Sequence, residues 1–459
     1  MNLSDTIVAI ATAPGTAGIG VIRISGKGAI AAANSIFHAS GILVSLAEAK
    51  SHHLYHGWIQ DEEQTIDEVL IVLMKAPHSY TTEDVIEIQC HGSPVVLQTI
   101  LELLLAQGIR LAEPGEFTQR AFFYGRLDLT QVEAVSDLIH ARAKLGVFAA
   151  VNQLKGQLYR AIEAVKEQVF HVASLLEASI DFSEEDETFT EHDECIRCLT
   201  QARVDLESLL ASAGQGKIMR SGLGVALIGR PNVGKSSLLN ALLQEARAIV
   251  TDIPGTTRDV IEESMQIKGM AIRLMDTAGI RHTDHLVENE GVQRSRNAWK
   301  TADLVLLVLD SASPFTPQDE ELIEEMDSEK TIMVFNKKDL LTAHQELPCS
   351  QLKQFQSVYV SAKYKEGLEQ LKEVLFDKGM HGHAALEEQA LITNLRQQDA
   401  AKKALTALQN ALEGLESRVG EECLAVDLGS CLRALGDIVG KTTADDLLNK
   451  IFSEFCIGK

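Results

Sequence analysis

The segment Gly229-Arg230-Pro231-Asn232-Val233-Gly234-Lys235-Ser236 constrains the fold of this chain more than any other. It follows an apolar run at 225–228 and precedes helix-forming Ser237-Leu238-Leu239-Asn240. This is G-x-x-x-x-G-K-S between a strand and a helix, where backbone N–H groups turn inward around a polyphosphate. The helix N-terminus adds positive potential at the same place. Lys235 is placed to reach the β- and γ-phosphates, and the Ser236 hydroxyl to bind Mg²⁺. Residues 224–376 alternate strand and helix signals, so a parallel doubly wound sheet is expected there.

Three further motifs arrive in order. Asp276-Thr277-Ala278-Gly279 follows a strand candidate at 271–275; Asp276 is suited to hold Mg²⁺ through its water shell, and the Gly279 N–H to meet the γ-phosphate. Asn336-Lys337-Lys338-Asp339 follows an apolar strand at 331–335. Asp339 can accept from guanine N1–H and N2–H₂, a donor pair that adenine lacks, and such pairing discriminates by roughly 10⁴–10⁵. Ser361-Ala362-Lys363 fits the loop that closes over the base. The nucleotide implied is GTP, with Asn232, Val233, Gly234, Lys235, Ser236 and Ser237 around its phosphates.

The first switch belongs at Gly255-Thr256-Thr257-Arg258-Asp259, where Thr257 can bind Mg²⁺ and the γ-phosphate. Thr251-Asp252-Ile253-Pro254 precedes it, a short loop able to point carbonyls at a cation. Arg258 reads equally as an arginine finger acting in cis and as an exposed ion pair. Ile280 stands where Ras-like proteins carry a water-orienting glutamine, so another group must serve. His282, Asp284, His285, Glu288 and Glu290 are the nearby candidates, each more readily read as an ordinary exposed polar residue, and spacing alone selects none.

At 459 residues two or three domains are expected. The formal charge of −23 repels nucleic acid on average, so any RNA contact needs a local basic patch or a partner. No apolar run reaches a membrane span, residues 1–20 lack a signal-peptide pattern, and a cytosolic protein without membrane contact is expected. Seven scattered cysteines fit reduced thiols. Cys195 and Cys198 read as incidental helix-surface cysteines, and Cys456 as a packed or idle thiol.

Strand candidates at 6–11, 20–25, 69–74 and 85–90 and a helix at 94–107 make the first part mixed α/β. The glycine-rich loop at 15–20 joins two strands and is no dinucleotide loop. Thr130-Gln131-Val132-Glu133 reads as a capping box, followed by helical periodicity to about residue 180 and again over 193–213. Leu391, Leu395, Ala401, Leu405 and Leu408 form an apolar stripe in a final helical segment. Two helical stretches thus flank the nucleotide unit, as in a domain inserted within a bundle.

The chain resembles the MnmE (TrmE) family of tRNA-modification GTPases over essentially its whole length. The most specific matches are Ala112-Glu113-Pro114-Gly115-Glu116-Phe117-Thr118-Gln119-Arg120-Ala121-Phe122 and Leu127-Asp128-Leu129-Thr130-Gln131-Val132-Glu133-Ala134-Val135, with Phe455-Cys456-Ile457-Gly458-Lys459 similar to the family's ending. The resemblance implies an N-terminal α/β folate-binding and dimerisation domain (1–120), a discontinuous helical domain (121–216 and 380–459) and an inserted Ras-like P-loop domain (217–379). It implies a homodimer that joins a flavoprotein, MnmG, in a heterotetramer. Together they would add a carboxymethylaminomethyl-type group to carbon 5 of the wobble uridine of certain tRNAs. The one-carbon unit would come from 5,10-methylene-tetrahydrofolate, the 5-formyl form also binding.

By motif position the resemblance places K⁺ on Asn232, Thr251, Ile253 and Thr256, water positioning on Glu288, and folate on Arg23, Glu87, Arg126 and Lys459. Glu87 suits a pterin, whose N3–H and 2-amino group repeat the donor pair of guanine. Arg126 departs from the family's usual lysine, putting a planar fork where a point charge is common. Thr16-Ala17 departs from the usual arginine-bearing first loop. The competing reading is a ribosome-assembly or regulatory GTPase switch.

Overall fold

Residues 85–92 alternate buried Ile86, Ile88 and Cys90 with outward Glu87 and Gln89, the period-two pattern of a strand covered on one face. That strand lies at the centre of a seven-stranded sheet. Its members are β1 (Ile7–Ile10), β2 (Ala17–Ser25), β3 (Phe37–Ala39), β4 (Leu54–Asp61), β5 (Gln64–Met74), β6 (Val85–Gly92) and β7 (Arg110–Leu111). They run in the order β3-β4-β5-β6-β2-β1-β7, antiparallel except for β1 with β7. Helices α1 (Ala29–Ile36) and α2 (Pro94–Ala106) bury Ala33, Ile36, Leu97, Ile100 and Leu104 against Ile22, Ile24, Ile71 and Ile88 of the inner face. The outer face keeps Leu54, Trp58 and Leu70 exposed. The glycine loop before β2 opens no helix.

The computed structural model describes residues 4–41, 45–62, 64–181, 192–245, 263–275, 299–341, 350–380, 389–442, 445–453 and 455–458. They group into two compact units, Met1–Ser136 with Leu432–Lys459 and Asp137–Cys431.

In the first unit the signature segment becomes helix α3 (Glu116–Phe123). Gly115 caps it with φ +71°, and a Cβ there would lie 2.7 Å from the Phe452 carbonyl, so only glycine fits. Arg120 and Glu116 are fully buried. Arg120 Nη2 donates to Asp5 at 2.7 Å and Glu116 at 3.0 Å, and Nη1 to Glu83 at 3.1 Å. Arg110 completes the group on Asp5 at 2.8 Å and on Glu116 at 2.6 Å. Burial alone would raise both Asp5 and Glu116; the two arginines outweigh it and hold these carboxyls below the usual range.

The capping box starts two residues earlier than the sequence pattern indicates. Helix α4 (Leu129–His140) is capped by Asp128, whose Oδ1 accepts from Thr130 N at 2.8 Å and Gln131 N at 3.2 Å, while the Asp128 N–H donates to Gln131 Oε1 at 3.1 Å. An aspartate two residues upstream outcompetes Thr130 because its carboxylate accepts two backbone bonds, and Thr130 becomes its donor. Ala121, Leu127, Leu129 and Val132 then pack on Leu448, Phe452 and Phe455, residues from the far end of the sequence.

The second unit holds α5 (Lys144–Leu154), α6 (Gln157–Asp181), α7 (His192–Ala211) and α8 (Ala213–Ser221), then a six-stranded sheet. Its strands are β8 (Leu223–Ile228), β9 (Glu263–Ile267), β10 (Met270–Met275), β11 (Leu304–Asp310), β12 (Thr331–Asn336) and β13 (Gln356–Tyr359). The order is β13-β12-β11-β8-β10-β9, parallel but for β9. Helices α9 (Lys235–Glu245), α10 (Pro317–Glu324) and α11 (Leu368–Gly379) accompany it. The mixed α/β, helical and P-loop architecture is therefore as the sequence indicated.

Two expectations about helix faces are corrected. Of the expected stripe, Leu391 (just before the helix) and Ala401 and Leu408 of helix α12 (Leu395–Glu416) are buried, whereas Leu395 is 70% exposed and Leu405 half-buried. The buried residues of α12 are Gln397, Ala400, Ala401, Ala404, Ala407, Leu408, Ala411, Leu412 and Leu415, and α7 packs beside it. Cys195 is not a surface residue; it is fully buried on α7, while Cys198 is half-buried. The remaining helices are α13 (Glu421–Val439) and α14 (Asp445–Ser453). Among the described residues no helix is long and apolar enough to cross a membrane.

Candidate functional site

The six residues of β8 are all buried, and the chain leaves that strand into the phosphate loop. The turn needs left-handed backbone at Asn232 (φ +64°) and Gly234 (φ +97°). A Cβ on Gly234 would meet Asn336 Nδ2 at 2.3 Å, so the glycine is what lets the two motifs touch. Lys235 Nζ donates to the loop's own carbonyls, Gly229 O at 2.6 Å and Arg230 O at 2.9 Å. Burial lowers its pKa, and an anion placed beside it would oppose that shift. Ser236 and Ser237 are exposed at the start of α9.

The loops at 336–339 and 361–363 are tied to this loop by Asn336, which is 2% exposed. Its Nδ2 donates to Val233 O at 2.9 Å and its Oδ1 accepts from Ala362 N at 3.1 Å. Asp339 Oδ1 accepts from Ser361 Oγ at 2.5 Å, which aims the carboxylate. Lys337, at φ +62°, donates to Asp310 Oδ2 at 2.7 Å, and Lys363 lies 5.0 Å from the Tyr364 ring. Residues 232–237, 336–339 and 361–363, three stretches distant in sequence, therefore form one site. Thr251, Asp252, Ile253, Pro254, Gly255, Thr256, Thr257, Arg258, Asp276, Thr277, Ala278, Gly279, Ile280 and Glu288 lie outside the described residues.

Sequence reasoning passed over two carboxylates here. Asp310 ends β11 beside Asn336 and is held below the usual carboxylate range, the Lys337 bond and the nearby Arg230 outweighing burial. Asp319, in the Thr316 capping box of α10, takes Arg230 of the phosphate loop at 3.3 Å. A carboxylate closing an apolar strand, as Asp310 does, is the signal that would have found the first.

The first unit holds a second site. A cavity of about 850 Å³ is lined by Arg23, Tyr80, Glu87, Tyr124 and Arg126, among others. Register sets Arg23 of β2 opposite Glu87 of β6, and the side chains pair at 2.8 Å. Arg126 Nη1 donates to Tyr80 O at 3.0 Å. Three of the four expected folate contacts thus share one wall. Lys459 lies outside the described residues, although the neighbouring Gly458 carbonyl accepts from Arg23 Nη1 at 3.2 Å. Cys456 is exposed, so the packed alternative for that thiol does not hold.

Family models match both parts of the chain: the GTP-binding protein TrmE N-terminus over residues 6–126 and the MnmE helical domain over residues 129–456. Proteins described as tRNA modification GTPase MnmE align end to end. That of Alkaliphilus oremlandii is 42% identical over 100% of both chains, and that of Syntrophus aciditrophicus 45% identical over 100% of both. The chain belongs to the MnmE family of tRNA modification GTPases. Membership carries GTP hydrolysis, with nucleotide and Mg²⁺ binding. The cavity in the first unit lies within the segment matched by the TrmE N-terminal model.

Proposed function

We propose that this chain is a K⁺-dependent GTPase that works with the flavoprotein MnmG to add a carboxymethylaminomethyl-type group to carbon 5 of the wobble uridine of certain tRNAs, using a one-carbon unit carried on tetrahydrofolate. The observation that supports it is the pairing, in one chain, of a guanine-selective phosphate loop with a separate cavity walled by Arg23, Glu87 and Arg126. About 850 Å³ suits an organic ligand, ligand pockets spanning roughly 300–1,000 Å³. An aromatic ring, a carboxylate and two guanidiniums suit a planar heterocycle with an anionic tail.

In this reading Ser236 and Thr257 hold Mg²⁺, with Asp276 behind its water shell. Asn232, Thr251, Ile253 and Thr256 hold K⁺, which supplies the positive charge that an arginine finger brings elsewhere, and Glu288 orients the attacking water. Arg23, Glu87, Arg126 and Lys459 hold the folate. The uncovered sheet face bearing Leu54, Trp58 and Leu70 suits a homodimer contact. MnmG then joins in a heterotetramer, tRNA is the substrate, and the complex works in the cytoplasm.

Purified protein should hydrolyse GTP at least about tenfold faster in KCl than in NaCl at equal ionic strength, since a charge at that place is worth 10³ or more in related enzymes. Equal rates would remove K⁺ from the mechanism. Glu288→Ala should bind GTP normally yet lose roughly 10²–10³ in turnover, measured by phosphate release under saturating nucleotide. Unchanged turnover would return the role to Glu290 or a histidine.

A further inference from the structure

Both arginines of the first unit's cavity rest on one tyrosine. The Arg23 guanidinium lies 5.4 Å from the Tyr80 ring centroid and that of Arg126 4.9 Å, within the ~6 Å over which a ring quadrupole attracts a cation. The ring is itself anchored. Its hydroxyl is 2.9 Å from Oγ1 of Thr118, a fully buried residue of α3. Its body packs against Ile7, Ala9, Ala112 and Phe117, and Phe117 supports Arg23 from below at 5.6 Å. Residues 117 and 118 both belong to the signature segment.

The two cations are not equivalent. Arg23 is met by Glu87 at 2.8 Å, whereas Arg126 is exposed and has no ion-pair partner among the described residues. A guanidinium is planar, so what it can bind depends on the direction of its fork. A flexible side chain on an exposed turn loses that direction unless something holds it. Here the face of Tyr80 and the Tyr80 carbonyl do so together. Arg126 is left with a fixed orientation and an unanswered charge at the cavity wall.

We propose that Tyr80 is a positioning residue that fixes the Arg126 fork, with Arg23 beside it, to receive the carboxylate end of a bound folate. The proposal rests on the folate reading of this cavity. It also gives the signature segment a task, since Thr118 and Phe117 of α3 keep Tyr80 and Arg23 in place.

The full-length protein is titrated with 5-formyltetrahydrofolate and with a reduced pterin lacking the aminobenzoylglutamate tail. Tyr80→Leu should weaken folate binding about tenfold, the worth of a cation–π contact partly shielded from water, and change pterin binding less than about threefold. Tyr80→Phe, which keeps the ring face, should restore most of the folate affinity. Progressively fluorinated phenylalanines at position 80 keep the shape and drain the quadrupole; folate affinity should fall stepwise along that series. This series needs no leucine variant to fold. Equal losses for folate and pterin, or a flat fluorination series, would overturn the proposal. Folate binding by the unsubstituted protein with a flat series overturns the role of Tyr80 alone; no folate binding by the unsubstituted protein overturns the folate reading and the proposal with it.

Discussion

Asp339→Asn is expected to weaken GTP binding by roughly 10²–10⁴ and to make xanthosine triphosphate the better ligand. A carboxylate offers two acceptors to the two donors of guanine, and bonds to a charged group are each worth about 1.5–3 kcal/mol. An amide offers one acceptor and one donor. That matches xanthine, which has an N1–H and a carbonyl where guanine has its amino group. Ser361 Oγ, 2.5 Å from Asp339 Oδ1, keeps the side chain aimed in either form. Asn336 holds the loop through Val233 and Ala362 regardless of residue 339, so the fold should survive. Competition between GTP and xanthosine triphosphate for the purified variant checks this. An unchanged preference for GTP would mean that Asp339 does not read the base.

Arg120→Met is the second large effect, at about 3–5 kcal/mol of stability in the first unit, the usual cost of stranding a buried charge. Glu116 is fully buried and Glu83 nearly so, and both lose a guanidinium partner. Arg110 still reaches Glu116, which favours the lower end of the range. Faster hydrogen exchange of amides 116–123 would report the loss, and protection equal to that of the unsubstituted protein would contradict it. Acid should act on the same group. Asp5 and Glu116 are held below their ordinary pKa values, so their stabilisation is complete above the usual carboxylate range and is lost as pH falls through the folded-state values.

The nucleotide site was legible because each of its parts is local: a loop of eight residues, a tetrapeptide after a strand, a tripeptide after another. What sequence could not supply was their mutual attachment. The bond from Asn336 to Val233 spans 103 positions, and nothing in either motif announces it. The cavity was legible only as scattered charges. Arg23 and Glu87 meet because β2 pairs with β6 in a particular register, and a turn brings the Tyr80 ring within reach of both Arg23 and Arg126. Tyr80 itself sits in Pro77-His78-Ser79-Tyr80-Thr81-Thr82 and reads as part of a loop.

The corrected points share a cause. Periodicity identifies a helix but not the partner that decides its cap or its face. Thr130 yielded to Asp128 because the carboxylate satisfies two N–H groups at once. On α12 the stripe held at Ala401 and Leu408 but not at Leu395 and Leu405, and alanines fill much of the buried face beside α7. The signature segment could be quoted from sequence yet not explained. Its Arg120 and Glu116 form a buried ion group that a hydropathy reading would place in solvent.

The central claim is that GTP hydrolysis in this chain serves tRNA wobble-uridine modification. Mass spectrometry of tRNA nucleosides from a strain lacking the gene, complemented with the unsubstituted chain or with Lys235→Ala, tests it most directly. The account predicts that C5-modified wobble uridine is absent without the gene, returns with the unsubstituted chain and fails to return with Lys235→Ala. Normal levels of the modified nucleoside in the strain lacking the gene would contradict it.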